Sequence, residues 1–194
     1  ATPRYTGNRA VTQLLGGGGV VSGGQAFNGD TQSFAYEPSM ERFDPVTEDW
    51  SEVARDPLLA RDFFASAVID EQKLLVVGGY DGTDFSNALV VEHSSGTIQE
   101  IALPGPLSVS GAVRRADGSV LCVGGLGDGG ARLSGALLFD GAGIIELPSL
   151  PEPRGDPYVV ALPDGRVLVF GGLAGTAEEP AFSSATFLFE RGAN

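Results

Sequence analysis

Residues 73–83 read Lys-Leu-Leu-Val-Val-Gly-Gly-Tyr-Asp-Gly-Thr: a lysine, four branched apolar residues, a glycine pair, a tyrosine and an Asp-Gly turn. The chain repeats that ending. Glycine pairs close apolar runs at Gly23-Gly24, Gly78-Gly79, Gly124-Gly125 and Gly171-Gly172. Their second members are 55, 46 and 47 residues apart, and a period of this length marks a repeated supersecondary unit.

Each pair ends a strand, turn, strand pattern: QLLGGGGVVSGG, AVIDEQKLLVVGG, AVRRADGSVLCVGG and VALPDGRVLVFGG. Asp117-Gly118 and Asp164-Gly165 are expected to form two-residue hairpin turns, because both residue types accept positive φ. The second halves of the units, SMERFDPVTEDW, LVVEHSSGTIQE, GALLFDGAGIIE and ATFLFERG, align without gaps. That alignment puts Phe43, His93, Phe139 and Phe189 at one position and matches Trp50 with Glu100 and Glu146. Four antiparallel strands in a unit of this length is the size of one propeller blade.

Composition agrees with an all-β chain. Twenty-nine glycines and 12 prolines in 194 residues leave few windows for a three-turn helix, while 42% hydrophobic residues suffice for a core. A formal charge of -13, with Lys73 the one lysine, opposes a sequence-independent grip on nucleic acid phosphates or anionic lipid. The apolar runs fall far short of the roughly 20 residues that cross a bilayer, so direct membrane insertion is not expected. With one cysteine (Cys122) and one histidine (His93), the chain holds neither an internal disulfide framework nor a zinc site of its own. Redox compartment stays open, with a secreted or extracellular location favoured over the cytoplasm.

The glycine pairs after hydrophobic strands, the YDGT at residues 80–83 and the ERFDPVTEDW ending in Trp50 resemble kelch repeats over nearly the whole chain. Tyrosine follows the glycines only at Tyr80, and tryptophan appears only at Trp50, so the other units depart from that pattern. The resemblance implies a β-propeller with about four blades visible. Residues 1–8 would leave a preceding blade or close the ring, with blades at 9–57, 58–104, 105–151 and 152–194. The last blade would lack its fourth strand, leaving ATFLFE as an open edge. Further blades of a larger propeller, closure of a small ring through residues 1–8, or a neighbouring chain are the three ways to complete it.

In such a fold the loops between second and third strands, and between one blade and the next, emerge on one recognition face. The resemblance places Arg4, Tyr5, Arg61, Asp62, Phe63, Arg154 and Asp156 there from interblade segments, with Gln25, Asn28, Tyr80, Asp81, Asp84 and Asp128 from the glycine-pair loops. Arg4, Arg61 and Arg154 each precede an inner strand, so a ring of guanidinium groups could clamp a carboxylate or an acidic peptide; alternatively each pairs with an acid of a neighbouring blade. Arg114 stands where other units have Gln13, Val68 and Ala161, which directs it toward the channel. His93 reads as a packed strand residue and Cys122 as a small core hydrophobe. The loop YDGTDFSN lacks the spacing and terminal glutamate of an EF-hand, and no cofactor is expected. The longer first unit carries an insertion with Phe27, Phe34 and Tyr36, folded back over the blade or free to meet a partner. The resulting reading is a scaffold that binds a protein or a glycan. The alternatives are a carbohydrate-active propeller enzyme, for which no nucleophile and base can be paired from sequence, and a structural subunit of an extracellular assembly.

Overall fold

The computed structural model describes residues 6–7, 10–83, 87–108, 110–176 and 178–190. In chain order the strands are β1 (Thr6–Gly7), β2 (Ala10–Gln13), β3 (Gly19–Ser22), β4 (Gln25–Asn28), β5 (Ser33–Tyr36), β6 (Ser39–Asp44) and β7 (Asp49–Arg55). They continue as β8 (Ala65–Val68), β9 (Lys73–Val77), β10 (Asn87–Glu92), β11 (Thr97–Ala102), β12 (Gly111–Arg114), β13 (Val120–Val123), β14 (Ala136–Phe139) and β15 (Ile144–Leu147). The last are β16 (Tyr158–Ala161), β17 (Val167–Phe170), β18 (Leu173–Gly175), β19 (Pro180–Phe182) and β20 (Thr186–Phe189).

Every pairing is antiparallel, and the fold is all-β. Sheet I has the order β2-β3-β6-β7, sheet II β8-β9-β10-β11, sheet III β12-β13-β14-β15 and sheet IV β16-β17-β20. Two small sheets, β1-β4-β5 and β18-β19, extend the loops that follow the first and last glycine pairs. The innermost strands β2, β8, β12 and β16 touch in that order, so the four sheets pack face on face in chain sequence.

The run Leu74-Leu75-Val76-Val77 is continuously apolar because β9 is buried on both faces. Leu74 and Val76 join Val20, Met40, Leu89 and Val91 between sheets I and II. Leu75 and Val77 join Ala65, Ala67, Val120 and Cys122 between sheets II and III. A third cluster, including Leu121, Val123, Val167 and Val169, fills the space between sheets III and IV. The outward faces of the two end sheets stay open: Val11 on sheet I is 73% exposed and Tyr158 on sheet IV is 64% exposed. Closure of a four-sheet ring, one of the sequence expectations, is therefore not the arrangement this chain adopts. Among the described residues no helix is long and apolar enough to cross a membrane.

Burial of Cys122 pushes its thiol up to about 12, so the reactive thiolate is suppressed. Iodoacetamide is expected to leave Cys122 unmodified in the folded protein and to label it fully in guanidinium; rapid labelling of the native state, followed by mass spectrometry, would contradict this core placement.

Two expectations about register are corrected. The inner hairpins close on three-residue loops: Arg115 N-H donates to Ser119 O at 2.7 Å and Gly118 N-H to Arg115 O at 3.1 Å. Leu162, Gly165 and Arg166 repeat that geometry. Gly118 and Gly165 take the left-handed position with φ of 89° and 88°, which fits a type I turn followed by a glycine bulge. The aspartates act one step earlier, Asp117 Oδ1 accepting from Ser119 N-H and Asp164 Oδ1 from Arg166 N-H, both at 3.1 Å.

The second correction concerns His93. The residues facing Gly19, Leu74, Val120 and Val167 are Phe43, Val91, Phe139 and Phe189, so Val91 holds the aromatic position of its unit. His93 lies two residues beyond, its N-H donating to Gln72 O at 2.9 Å, and its ring is buried. Burial, then the nearby Arg42 charge, holds the imidazole below its ordinary pKa. By the same register the partners of those four-strand units are Trp50, Ile98 and Ile144, while Glu52, Glu100 and Glu146 follow two residues later.

Candidate binding site at the glycine-pair rim

The paired glycines divide their N-H groups between two sheets. Gly78 N-H completes the ladder within sheet II by donating to Asn87 O at 3.0 Å, and Gly79 N-H crosses to Leu107 O, on the segment leading into sheet III, at 2.8 Å. Gly24 N-H reaches Arg61 O and Gly125 N-H reaches Arg154 O, each at 2.7 Å. The crossing requires φ of 63° at Gly78 and 115° at Gly79. A Cβ on Gly78 would overlap the carbonyl of Leu107, and one on Gly79 would lie 2.9 Å from Asp62 O. Left-handed backbone and contact with a neighbouring main chain together make glycine obligatory there.

A further bridge sits just outside this crossing. Asp62 and Tyr80 exchange two backbone hydrogen bonds, at 2.9 and 2.8 Å, as do Ser108 with Leu126 and Gly155 with Leu173. Gly7 pairs with Gln25 in the same register. Thr6, Arg61, Leu107 and Arg154 are therefore equivalent residues, each one step before the bridge. Arg4 and Tyr5 lie outside the described residues, as does Asp84; the register assigns the Arg61 position of the first unit to Thr6 rather than Arg4.

The expected guanidinium clamp is corrected by burial. Arg61 and Arg154 are both 0% exposed. Upstream of Arg61, Asp56 caps a short 3-10 turn at Pro57–Leu59 by accepting Leu58 N-H at 2.9 Å. That turn aims Leu58 O at the guanidinium. Arg61 Nε donates to Leu58 O at 2.7 Å, and Nη1 donates to Gly78 O at 2.7 Å and to Asn87 Oδ1 at 2.9 Å. The side chain thus satisfies the carbonyl that the glycine turn withdraws from the sheet. Burial pushes its pKa down to about 10 while Asp81 and Glu100 oppose the shift, so the charge persists at neutral pH. Arg154 pairs with Glu152 at 2.8 Å and stands 5.5 Å over the Phe187 ring.

What the rim exposes is aromatic and acidic. Phe63 is 43% exposed and Tyr80 36%. Phe63 has φ of 51° and the equivalent Asp156 has φ of 47°, a conformation that a bulky side chain rarely adopts. The left-handed turn lifts the Phe63 ring off the sheet beside the Asp62 and Tyr80 bridge. Beneath it, Asp62 is buried and its Oδ2 accepts from Gln25 Nε2 at 2.6 Å. Burial raises the Tyr36 phenol, followed by Asp62, Tyr80 and Asp81, with a Gln25 hydrogen bond acting the other way. Thr83 Oγ1 donates to Asp81 Oδ1 at 3.1 Å and fixes the tip of the loop.

Gln25, Tyr36, Asp62, Phe63, Tyr80 and Asp81 therefore converge where sheets I and II meet. Asp128 and Asp156 are exposed on later loops of the same rim, and Asn28 lies in the first-unit hairpin β4-β5. Arg114 belongs to the opposite end. Its Nε donates to Ile69 O at 2.8 Å and Nη1 to Arg115 O at 3.3 Å, tying two inner hairpins together. Tyr36 was legible only as part of an insertion, and no local signal tied it to Asp62. In that insertion Phe27 and Phe34 pair at 5.0 Å and both stay exposed. Among the described residues no group of three or more His, Cys, Asp or Glu side chains is arranged to hold a metal.

These features define an all-β chain of repeated antiparallel sheets, laced at one rim through glycine pairs. Among solved structures it is similar to the one described as the structure of YjhT, with a TM-score of 0.69 and 14% identity over 94% of this chain and 70% of that chain. At that identity the likeness concerns fold alone. No protein-family model matches the chain, and no curated protein does.

Proposed function

We propose that the chain is a kelch-type β-propeller segment, with blades at 9–57, 58–104, 105–151 and 152–194, that binds a neutral glycan at the rim between its first two blades. The repeat period, the four glycine pairs and their crossing hydrogen bonds support the propeller reading. The ligand class rests on Phe63, a large ring held exposed at φ of 51° beside Tyr80. Exposed rings stack on the apolar faces of sugars, and Gln25 and Asp81 supply donors and acceptors for hydroxyl groups, with buried Asp62 holding the Gln25 amide in place. The exposed Asp81 carboxylate, with Arg61 and Arg154 both buried, favours a neutral ligand over an acidic peptide. A protein loop is the other ligand this chemistry suits.

Phe63→Gly separates binding from folding, because glycine accepts the left-handed φ that phenylalanine tolerates poorly. Stability is expected within about 1 kcal/mol of the parent, while retention on a neutral glycan array is lost. An array pattern unchanged by the substitution would remove the glycan from this rim.

A further inference from the structure

We propose that a cavity on the face of sheet III that meets sheet II, at the glycine-pair rim, is a pocket for an alkylguanidinium group. Its volume is about 330 Å³, and Leu107, Cys122, Gly124, Gly135 and Leu137 form much of its wall. Asp128 and Glu146, both exposed, also line it, and no arginine or lysine does. Sheets II and III each have four strands, and the pocket is separate from the Phe63 rim proposed for a glycan.

Sheet II states what fits. Gly124 N-H donates to Gly135 O at 2.9 Å as Gly78 N-H does to Asn87 O, and Gly124 and Gly78 have φ of 62° and 63°. Leu137 pairs with Glu146 as Leu89 pairs with Glu100. The register therefore sets Leu107, Gly135 and Glu146 of sheet III against Arg61, Asn87 and Glu100 of sheet II. In sheet II the Arg61 guanidinium fills this place, Nη1 donating to Gly78 O and Asn87 Oδ1, while Asn87 Nδ2 donates to Glu100 Oε2 at 2.9 Å. Leu107 starts along the same path: a Cβ on Gly125 would meet Leu107 Cδ1, and one on Gly79 would meet Arg61 Cδ. It then stops short, with no donor for the Gly124 carbonyl, and Gly135 has no amide to reach Glu146. Sheet III thus keeps the acceptors of the sheet II brace and replaces its donors with space. A guanidinium brings five N-H donors in a planar fork, and the apolar wall suits the methylene stem that carries it. A net charge of -13 draws cations to this surface.

The test is an amide chemical-shift titration of the protein with N-acetyl-arginine amide, its citrulline counterpart and ethylguanidine. The arginine probe is expected to bind with a Kd of about 1 mM and to shift the amides of Gly124, Leu133 and Gly135. The citrulline probe, which has the same shape without the charge, is expected to bind at least about tenfold more weakly, as is the arginine probe to Glu146→Gln. Leu107→Arg combined with Gly135→Asn copies the sheet II brace and is expected to abolish binding by filling the pocket from within. Equal affinity for the arginine and citrulline probes, shifts that miss Gly124 and Gly135, or undiminished binding to the folded double variant overturns the proposal. If the double variant does not fold, Glu146→Gln decides, because its side chain is exposed on an outer strand; unchanged affinity there overturns the proposal. With the pocket upheld, ethylguanidine binding as tightly as the arginine probe assigns it to a free guanidine. Binding at least about threefold weaker assigns it to an arginine side chain of a polypeptide.

Discussion

Gly78→Ala is expected to destabilise the protein by about 4 kcal/mol or more, or to prevent folding, although the change adds a single methyl group. Two penalties combine at this residue. A φ of 63° puts an alanine in the left-handed region, and its Cβ would overlap the Leu107 carbonyl. That carbonyl cannot retreat freely, because it accepts Gly79 N-H at 2.8 Å. Moving it would open the seam between sheets II and III. Gly171→Ala is the matched control. Its φ is 66°, but a Cβ there meets only Tyr158 Cδ2 at 3.5 Å and Ser183 O at 3.8 Å. The left-handed penalty alone remains, about 1 to 2 kcal/mol. Urea melts of the two variants measure the difference, and equal losses would mean that close approach is not what selects glycine.

Arg61→Ala is expected to cost about 3 kcal/mol or more, a large effect for a residue that sequence alone reads as either a ligand clamp or the partner of a neighbouring acid. The substitution strips donors from Leu58 O, Gly78 O and Asn87 Oδ1 at once and leaves a void where a fully buried side chain was. Arg61→Lys retains the charge but loses the fork that reaches acceptors in different directions, so it is expected to recover less than half of the loss. A thermal melt of Arg61→Ala within error of the parent would return this residue to the solvent-facing role. Arg61→Glu, which a surface clamp would tolerate, is expected to yield no folded protein.

The parts of the fold that were legible are those fixed by local chemistry. Paired glycines after an apolar run mark a turn out of the sheet wherever they occur, and their spacing exposes the repeat. The hairpin aspartates were found, yet their loops came out one residue short, because Asp117 and Asp164 cap the turn with their side chains and leave the left-handed position to the glycine alone. His93 was misplaced for a related reason. Turns after the third strands differ in length, seven residues separating Val91 from Ile98 and five separating Phe139 from Ile144, and an ungapped alignment absorbs that difference as a false register.

The arginines show where sequence falls short. A guanidinium ahead of an inner strand is compatible with a ligand clamp and with a buried brace, and only the carbonyl direction left by the glycine turn decides between them. Tyr36 and Asp62 are 26 positions apart and meet solely because two sheets are laced at the rim. Phe63 carried no mark of its left-handed backbone, since phenylalanine is among the residues least expected there.

The lacing itself is most directly tested by amide hydrogen exchange at the second glycine of each pair. Gly24, Gly79 and Gly125 donate across to the next sheet at 2.7, 2.8 and 2.7 Å, whereas Gly172 N-H has no acceptor among the described residues. Slow exchange is expected at the first three and fast exchange at Gly172, within one sample and one set of conditions. Uniformly fast exchange at all four, with the strand amides still protected, would contradict the crossing hydrogen bonds on which the whole account stands.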